Sequence, residues 1–347
     1  MTGATWSRAE DPEGSRAEAV RSWYRRFAEN ECRDYSPHYA RLCHAVVDDE
    51  GLVAFIAGMP EIQPNLFLAA VQYISGVEGL PRDGVELAAF VAAHRADVTA
   101  LMHARRTQTN EVGRCGPLLT AMPPGPLALV EVGASAGLNL MLDRYRYDYG
   151  GGRELGDPGS RVRIRCRLRG SGVPTLHLPE VVWRRGLDLD PVDVREQARS
   201  RWLLACVWPE HVERRARLEA ALAQCRRDPP RVDRGDLCDD LEAVLAEAPS
   251  DATLVVFHSA VLWYQTAERR QRFVELLAGW GRDRELVHVS SEDPGVIADV
   301  EVPPSEVDGL RVLLVRTRYG RGRPERRLLG VAHAHGAELE WLGDARG

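Results

Sequence analysis

Residues 127–140 decide the fold, and they read LALVEVGASAGLNL. A short apolar run ends at Glu131 and Val132, and small residues follow it, with Gly133 and Gly137 four positions apart. This order is typical of a buried strand, a tight turn and the start of a helix. Such a turn allows backbone N–H groups and a helix N-terminus to face a ligand, so we expect a nucleotide-like ligand here.

Strand-like and helix-like segments alternate after this stretch. The further candidate strands are 181–187, 231–234, 253–257, 285–289, 310–318 and 328–333. The candidate helices are 136–147, 193–207, 212–225, 237–246 and 267–279. The alternation predicts an α/β fold with a Rossmann-like, doubly wound sheet of about seven strands, mostly parallel and with an antiparallel C-terminal edge.

The N-terminal part has a different pattern. Apolar residues in 17–119 recur at spacings of three and four, which predicts helices. The Pro- and Gly-rich stretch 122–126 then marks a boundary. We therefore expect an all-helical N-terminal cap domain, residues 1–121, and a Rossmann-like domain, residues 122–347. We place an inserted hairpin at about 150–180, where 161–169 alternates arginine with other residues.

Composition narrows the function classes. The 347 residues are 44% hydrophobic and 28% charged, which is typical of a soluble globular protein. All 45 basic residues are arginine, so lysine-based chemistry such as a P-loop site is excluded. The net charge of −6 makes nucleic acid an unlikely partner.

Localisation and metal binding follow from simple patterns. The N-terminus lacks a signal-peptide pattern, and no apolar run approaches the roughly 18 residues of a membrane span. We expect a cytoplasmic protein with no membrane partner. The seven cysteines are scattered without a C-x-x-C pair, so we expect reduced thiols and no metal site. The sequence does not indicate an oligomeric state.

The spacing of Glu131, Gly133, Ser135 and Gly137 resembles the first motif of the class I S-adenosylmethionine-dependent methyltransferases, with Ser135 in place of the middle glycine. The resemblance implies S-adenosylmethionine as cofactor. The three small residues would pass close to its amino-acid and ribose portion, and Glu131 would anchor it. Asn139, in the same stretch, completes the set of cofactor-binding candidates here.

Acidic residues end the next two candidate strands. Asp188 or Asp190 would hold the ribose hydroxyls, since a carboxylate accepts two hydrogen bonds from them in adenosine-binding folds. Asp236 would meet the adenine amino group, as in the methyltransferases the chain resembles. The alternative for Asp188 is an N-cap of the helix that follows it. The usual spacing of about 20 residues from glycines to ribose acid is exceeded here, which the insertion explains.

Candidate residues for chemistry follow the strand 253–257. His258 and Ser259 would look into a pocket at the carboxyl end of the sheet, and Trp263 and Tyr264 would wall it. His258 is our candidate general base because its ordinary pKa lies near neutrality. The alternative is a histidine that only hydrogen-bonds the neighbouring loop.

A polar cluster precedes the predicted boundary. Asn110, Glu111 and Arg114 could reach over the sheet and contact the substrate. Equally, Glu111 and Arg114 are three positions apart and could form a surface ion pair.

Two other function classes stay open. Residues 133–137 also match G-x-S-x-G, the nucleophile elbow of serine hydrolases, with Ser135 as nucleophile and Asp299 and His333 as possible partners. The third class is a non-catalytic module that binds a nucleotide-like ligand. Residues 316–327 form a basic hairpin, which we interpret as a solvated turn.

Four motifs together look like a bacterial family known as domain of unknown function 2332. They are QTNEVGRC at 108–115, EVGASAGLNL at 131–140, GLDLDPVD at 186–193 and VFHSAV at 256–261. The resemblance extends from about Trp23 to the final strands and implies a Rossmann-like, methyltransferase-type fold. This second resemblance implies a fold rather than an activity. From the methyltransferase-like motif at 131–137 and the acids that end the next two strands, we expect an S-adenosylmethionine-dependent methyltransferase that acts on a small molecule.

Overall fold

The chain forms two compact units in the computed structural model. The first comprises the residues up to Thr109 together with Gln197–Ala216, and the second comprises Asn110–Glu196 and Arg217–Gly347. The expected division into domains after residue 121 stays a prediction. The structure describes residues 13–33, 35–170, 172–297 and 300–343.

The first unit is helical, as the 3.6-residue periodicity predicts. A π-helical turn, Phe27–Cys32, follows its first helix. Its core contains the fully buried Tyr24, Phe67 and Trp202. The helices in the first segment of this unit are α1 (Glu13–Arg26), α2 (Pro37–Asp48), α3 (Glu50–Ala57), α4 (Pro64–Ser75), α5 (Gly84–Ala93) and α6 (Arg95–Ala104). The later segment adds a helix that begins at Gln197, four residues after the predicted start.

A mixed α/β structure with a large, mostly parallel central sheet forms the second unit. Its strands are β1 (Pro126–Val132), β2 (Arg146–Asp148), β3 (Glu154–Leu155), β4 (Arg163–Arg165), β5 (Arg167–Gly170), β6 (Glu180–Asp188), β7 (Val232–Arg234), β8 (Thr253–Ser259), β9 (Leu286–Glu292), β10 (Arg311–Tyr319), β11 (Glu325–His333) and β12 (Glu338–Trp341). The remaining helices of the chain are α7 (Cys115–Ala121), α8 (Gln197–Ala205), α9 (Val212–Cys225), α10 (Leu241–Ala246) and α11 (Ala267–Asp283). The order in the main sheet is β5-β12-β11-β10-β9-β8-β1-β6-β7.

Within the described residues the main sheet has nine strands, whereas the sequence predicted about seven. Five neighbouring strands, in the order β7-β6-β1-β8-β9, are mutually parallel. β10 and β11 add the antiparallel pairs expected near the C-terminus. The additional strands are β12 and β5, which pair in parallel at one edge. Each has four residues, too few for a clear alternating pattern.

The insertion at 150–180 is not a single hairpin. β3 and β4 both pair with β2 in a separate three-stranded sheet, and β5 leaves to join the main sheet. The helix predicted over 136–147 is also wrong. A 3-10 turn, Asn139–Arg144, occupies its middle, and the chain then becomes strand β2. Tyr145, Tyr147 and Tyr149 are all buried, so the two-residue period of a strand overrides the helical spacing of the preceding leucines.

Glycine is required at position 133, in the turn after β1. Gly133 has φ of +72°, a left-handed conformation that residues with a Cβ avoid. A Cβ there would also lie 2.4 Å from Cγ2 of Val261, so the turn is packed against the segment that follows β8. The backbone N–H groups of Gly133 and Ala134 both donate to the Leu187 carbonyl at the end of β6, at 2.8 and 3.3 Å.

This packing predicts different costs for two alanine substitutions. Gly125 also has positive φ, +93°, but a Cβ there would meet nothing within 4 Å. Gly125→Ala should lower the free energy of unfolding by about 1–2 kcal/mol, from backbone strain alone. Gly133→Ala should lose about 1–3 kcal/mol more because of the clash with Val261. Urea denaturation measures both.

The double variant Gly133→Ala/Val261→Ala provides the control. Truncation of Val261 removes the clashing methyl groups, so part of the excess loss should be recovered. Equal losses for the two single variants would contradict the close contact between Gly133 and Val261.

Candidate functional site

The carboxyl ends of β1 and β8 form the place where the strand order reverses. From β1 the chain continues to β6 and β7 on one side, and it then returns to β8 and β9 on the other. In open parallel sheets, ligands bind in the crevice outside the carboxyl ends at such a point. The segments at this edge are 133–138, after β1, and 260–264, after β8.

Glu131, near the end of β1, is a buried carboxyl group with one unsatisfied oxygen. Its side chain is buried, and Oε1 accepts a hydrogen bond of 3.0 Å from Nδ2 of Asn139. Oε2 is buried and has no hydrogen-bond partner. Burial raises the pKa of Glu131 to about 8, against the lowering effect of the Asn139 hydrogen bond. Glu131 is therefore mostly protonated at pH 7.

Asn139 is held in turn by a cysteine. The Sγ of Cys115, the first residue of α7, donates to Oδ1 of Asn139 at 3.3 Å. Cys115 is fully buried, and burial raises the pKa of its thiol well above the ordinary value, so the thiol keeps its proton. The sequence analysis missed Cys115 as part of this cluster.

Ser135 and Asn110 lie together, although the sequence analysis assigned them to different ligands. Nδ2 of Asn110 donates to Oγ of Ser135 at 2.9 Å, and Oδ1 of Asn110 accepts from the Ala136 N–H at 3.3 Å. Ser135 has φ of +50°, and Ala260, after β8, has φ of +56°. They are the two non-glycine residues with positive φ in the described chain, and both lie at this edge. Strain of this kind clusters at functional sites.

Asp188 holds the turn after β1. Its Oδ2 accepts from the Ser135 N–H and its Oδ1 from the Asp190 N–H, both at 2.8 Å. The alternative role as an N-cap is wrong, because α8 begins nine residues later, at Gln197. Asp190 forms a 3.1 Å ion pair with the exposed Arg234. Of the two acids, Asp188 is the one that bonds the turn after β1.

The turn thus uses N–H groups that were expected to face a ligand. Gly133, Ala134 and Ser135 donate theirs to the end of β6. Within the described residues, a 3-10 turn, Asn139–Arg144, and not an α-helix comes directly after Gly137, so the expected α-helix N-terminus is absent there. Gly137 has φ of +68°, and a Cβ on it would lie 2.7 Å from Pro230. Both glycines therefore serve contacts within the protein.

Asp236 lies just beyond the end of β7. Its Oδ1 accepts from the Cys238 N–H at 2.7 Å, and its Oδ2 binds the Arg269 guanidinium. Burial alone would raise the pKa of Asp236, but these hydrogen bonds outweigh it and hold the pKa below the ordinary value. Asp236 is ionised at neutral pH, and neighbouring groups occupy both of its oxygens.

Arg114 links the end of β8 to the residue that follows β11. Its Nη1 donates to the Ser259 carbonyl at 3.2 Å, and its Nε donates to the Ala334 carbonyl at 3.1 Å. Glu111 is buried and binds Arg217 at 2.8 Å, so the alternative of a surface ion pair is wrong for it. The structure thus brings Arg114 to the candidate crevice and assigns Glu111 to a buried ion pair.

His258 lies on the opposite face of the sheet from Glu131. It is fully buried, with Nδ1 2.7 Å from Oε1 of Glu292 and Nε2 2.8 Å from Nε2 of His288. Its ring packs edge-on against Phe273 of α11. The expectation that His258 looks into an open pocket is therefore wrong. Phe257 pairs with Glu131 and shares its face, and the next residue, His258, points to the opposite face. Its catalytic role stays a prediction.

Glu292 is a second residue, after Cys115, that the sequence analysis missed. Its Oε1 also accepts from the Val261 and Leu262 N–H groups at 2.8 and 3.2 Å, so it holds the turn that contains Ala260. Its Oε2 is buried without a partner. Glu292 ends β9, and the criterion that selected Glu131 and Asp188, an acid at the end of a strand, also fits it.

Ser259, Trp263 and Tyr264 form the outer part of this edge. Glu131 of β1 pairs with Phe257 of β8, so these two side chains lie on the same face of the sheet. Ser259 is two residues after Phe257 and therefore lies on that face too. Trp263 and Tyr264 are 37% and 72% exposed, in a 3-10 turn after β8. Aromatic rings exposed beside a crevice can stack on a ligand.

The chain matches the family model described as "Uncharacterized protein conserved in bacteria (DUF2332)" over residues 21–341. The chain belongs to this family. No curated protein and no solved structure shows a significant match to it. Within the described residues there is no group of three or more metal-ligating side chains, and no helix is long and apolar enough to cross a bilayer.

The raised pKa of Glu131 predicts how stability changes with pH. The folded protein retains this proton up to a pH of about 8, whereas the unfolded chain releases it near the ordinary glutamate pKa of 4.5. This group's contribution is therefore fully present below pH 4.5 and is lost as the pH rises toward 8. Glu131→Gln should be close to the wild type in stability at pH 5 and more stable than it at pH 9.

Urea denaturation of both proteins at several pH values measures this difference. Other titrating groups cancel in the comparison, because only position 131 changes. Parallel stability profiles for the two proteins would show that Glu131 titrates normally.

Proposed function

We propose that the carboxyl edge of β1 and β8 binds S-adenosylmethionine and that the protein transfers a methyl group to a small molecule. The observation that carries the proposal is the unsatisfied Oε2 of Glu131, buried at the point where the strand order reverses. A buried polar atom without a partner costs free energy, and a ligand that hydrogen-bonds it removes the cost.

The topology supports a nucleotide-type ligand. The order β7-β6-β1-β8-β9 corresponds to the order 3-2-1-4-5 of Rossmann-like sheets, counted along the parallel strands. Glu131 lies near the end of β1, and Asp188 lies at the end of the neighbouring strand β6. This is the arrangement in which carboxylates hold an adenosine in such folds.

The residues at the edge differ in what they offer a cofactor. Glu131 offers Oε2, and Asp188 has spare lone pairs because each of its oxygens accepts one backbone hydrogen bond. Ser135 and Asn139 would line the site, and Asp236 would approach adenine with oxygens that already have partners. Gly133 and Gly137 contribute by letting the turn close.

S-adenosylmethionine, when bound, supplies an activated methyl group, so the protein must mainly orient the acceptor and accept its proton. His258 is poorly placed for this step because it is buried on the far face. Trp263 and Tyr264 would hold the acceptor, and Arg114 fixes the Ser259 backbone beside it.

Calorimetric titration tests the proposal. The purified protein is titrated with S-adenosylmethionine, S-adenosylhomocysteine and, as a control ligand, NAD. We expect the two sulfur ligands to bind and NAD not to bind. Glu131→Gln should weaken binding by up to about tenfold, the value of one hydrogen bond between uncharged groups, because Glu131 with a pKa of about 8 is mostly protonated at pH 7.

Glu247→Gln is the matched control. Glu247 pairs with Arg185 and is half exposed, and it is not among the edge residues. Its substitution should leave ligand affinity unchanged. Absence of binding by folded wild-type protein would refute the cofactor assignment. Binding without turnover of any acceptor would favour the non-catalytic module.

The strained backbone of Ser135 favours a second candidate, a serine hydrolase. A nucleophile elbow places its serine on such a strained turn after a strand. In this structure, however, Ser135 Oγ accepts a hydrogen bond from Asn110, and the possible triad member Asp299 lies outside the described residues. A fluorophosphonate probe should label Ser135 if this candidate is correct, and Ser135→Ala should abolish the labelling. Unlabelled, folded protein would eliminate it.

A further inference from the structure

The turn after β8, residues 260–264, is held from the face of the sheet opposite the candidate site. Ala260 at its start has φ of +56°, a conformation that a residue with a Cβ keeps only when its surroundings fix it. Val261 packs on Gly133, and the two exposed aromatic rings of the edge follow it. The contacts that restrain this turn therefore also set the shape of the candidate site.

Glu292, the last residue of β9, supplies such a restraint. It is fully buried, and its Oε1 accepts hydrogen bonds from the Val261 and Leu262 N–H groups at 2.8 and 3.2 Å. Arg270 of α11 also contacts the turn, and its Nε donates to the Leu262 carbonyl at 2.9 Å. A guanidinium group only donates hydrogen bonds, so Arg270 does not replace the carboxylate as the acceptor for the two N–H groups.

His258 fixes the position of this carboxylate. Its Nδ1 lies 2.7 Å from Oε1 of Glu292, and because that oxygen already accepts two backbone N–H groups, the imidazole N–H is the donor. The other ring nitrogen, Nε2, lies 2.8 Å from Nε2 of His288. The ring of Phe273 packs edge-on against both histidines, and that of Tyr319 stacks on His288. The imidazole therefore holds Oε1 where both N–H groups reach it.

We propose that Glu292 is a positioning residue: from the far face of the sheet it sets the turn that carries the aromatic side of the candidate site, and His258 orients it. This role rests on the proposed function, in which that turn holds the methyl acceptor. It gives His258 a part in the site without contact with a ligand. The role requires an acceptor oxygen at the right place rather than a negative charge, because the N–H groups of the turn are uncharged.

Two conservative substitutions separate the reach of this side chain from its charge. Glu292→Gln keeps an oxygen at the position of Oε1, and its amide nitrogen takes the place of Oε2, which has no hydrogen-bond partner in the described chain. Glu292→Asp keeps the carboxylate but withdraws it by about 1.5 Å, the length of one C–C bond, so the hydrogen bonds to Val261 and Leu262 are lost. A positioning role therefore predicts that Gln preserves the turn and that Asp does not.

Fluorine NMR of protein labelled with 5-fluorotryptophan measures the turn without any ligand. Trp263 lies in the turn, and its resonance is identified by its disappearance in Trp263→Phe. We expect the Trp263 resonance of Glu292→Gln to match that of the wild type. The Trp263 resonance of Glu292→Asp should shift or split into several lines. Circular dichroism checks that both variants fold.

Ser290→Ala is the matched control. Ser290 is buried on the same face of β9, two residues before Glu292, and its Oγ has no hydrogen-bond partner within the described residues. Its substitution should leave the Trp263 resonance unchanged. A displaced resonance in folded Glu292→Gln, an unchanged one in Glu292→Asp, or an equal displacement in Ser290→Ala would overturn the proposal.

Calorimetric titration with S-adenosylmethionine adds a functional measurement. Glu292→Asp should weaken binding by at least about fivefold, through the contact between the turn and Gly133, and Glu292→Gln should change the affinity less than about twofold. If folded wild-type protein does not bind this ligand, the proposed function fails, and the ligand-free resonance still decides the role of Glu292. Wild-type affinity in Glu292→Asp, together with a displaced Trp263 resonance, would show that the turn does not act on the ligand site and would overturn the proposal.

Discussion

The end of β6 holds the turn that follows β1, and the candidate site depends on this interaction. Three consecutive N–H groups, those of residues 133–135, donate to the Leu187 carbonyl and the Asp188 carboxylate. This forces left-handed backbone at Gly133 and Ser135. The chain can then reverse tightly enough to leave Glu131 buried beneath the turn, with one oxygen unsatisfied. A looser turn would admit water to that oxygen and lower its pKa.

Strand alternation separates two polar clusters that the sequence places close together. Glu131, Asn139 and Cys115 lie on one face of the sheet. His258 and Glu292, with His288, lie on the other face against α11. The turn after β8 links the two clusters, because the Glu292 carboxylate accepts the Val261 N–H and the Val261 side chain packs on Gly133. Ala260, with φ of +56°, lies in the same turn.

Much of the fold could be predicted from local pattern. The helical N-terminal part and the strands β1, β6, β8, β9 and β10 follow from periodicity, because buried apolar residues recur at the spacing of each element. The errors lie where tertiary pairing overrides local preference. Residues 145–149 become extended because their three tyrosines pack into the interior, and β12 exists because its neighbours provide hydrogen-bond partners.

For the candidate site, the sequence by itself determined which residue types end the parallel strands: Glu131, Asp188 and the glycines of the turn. The reason is that small and acidic residues after an apolar run leave few local conformations. Only the tertiary structure decided which of these groups are already engaged. It showed that Asp188 binds backbone, that His258 faces away and that Glu131 Oε2 lacks a partner. Hydrogen-bond partners come from distant parts of the chain, and sequence spacing does not encode those distances.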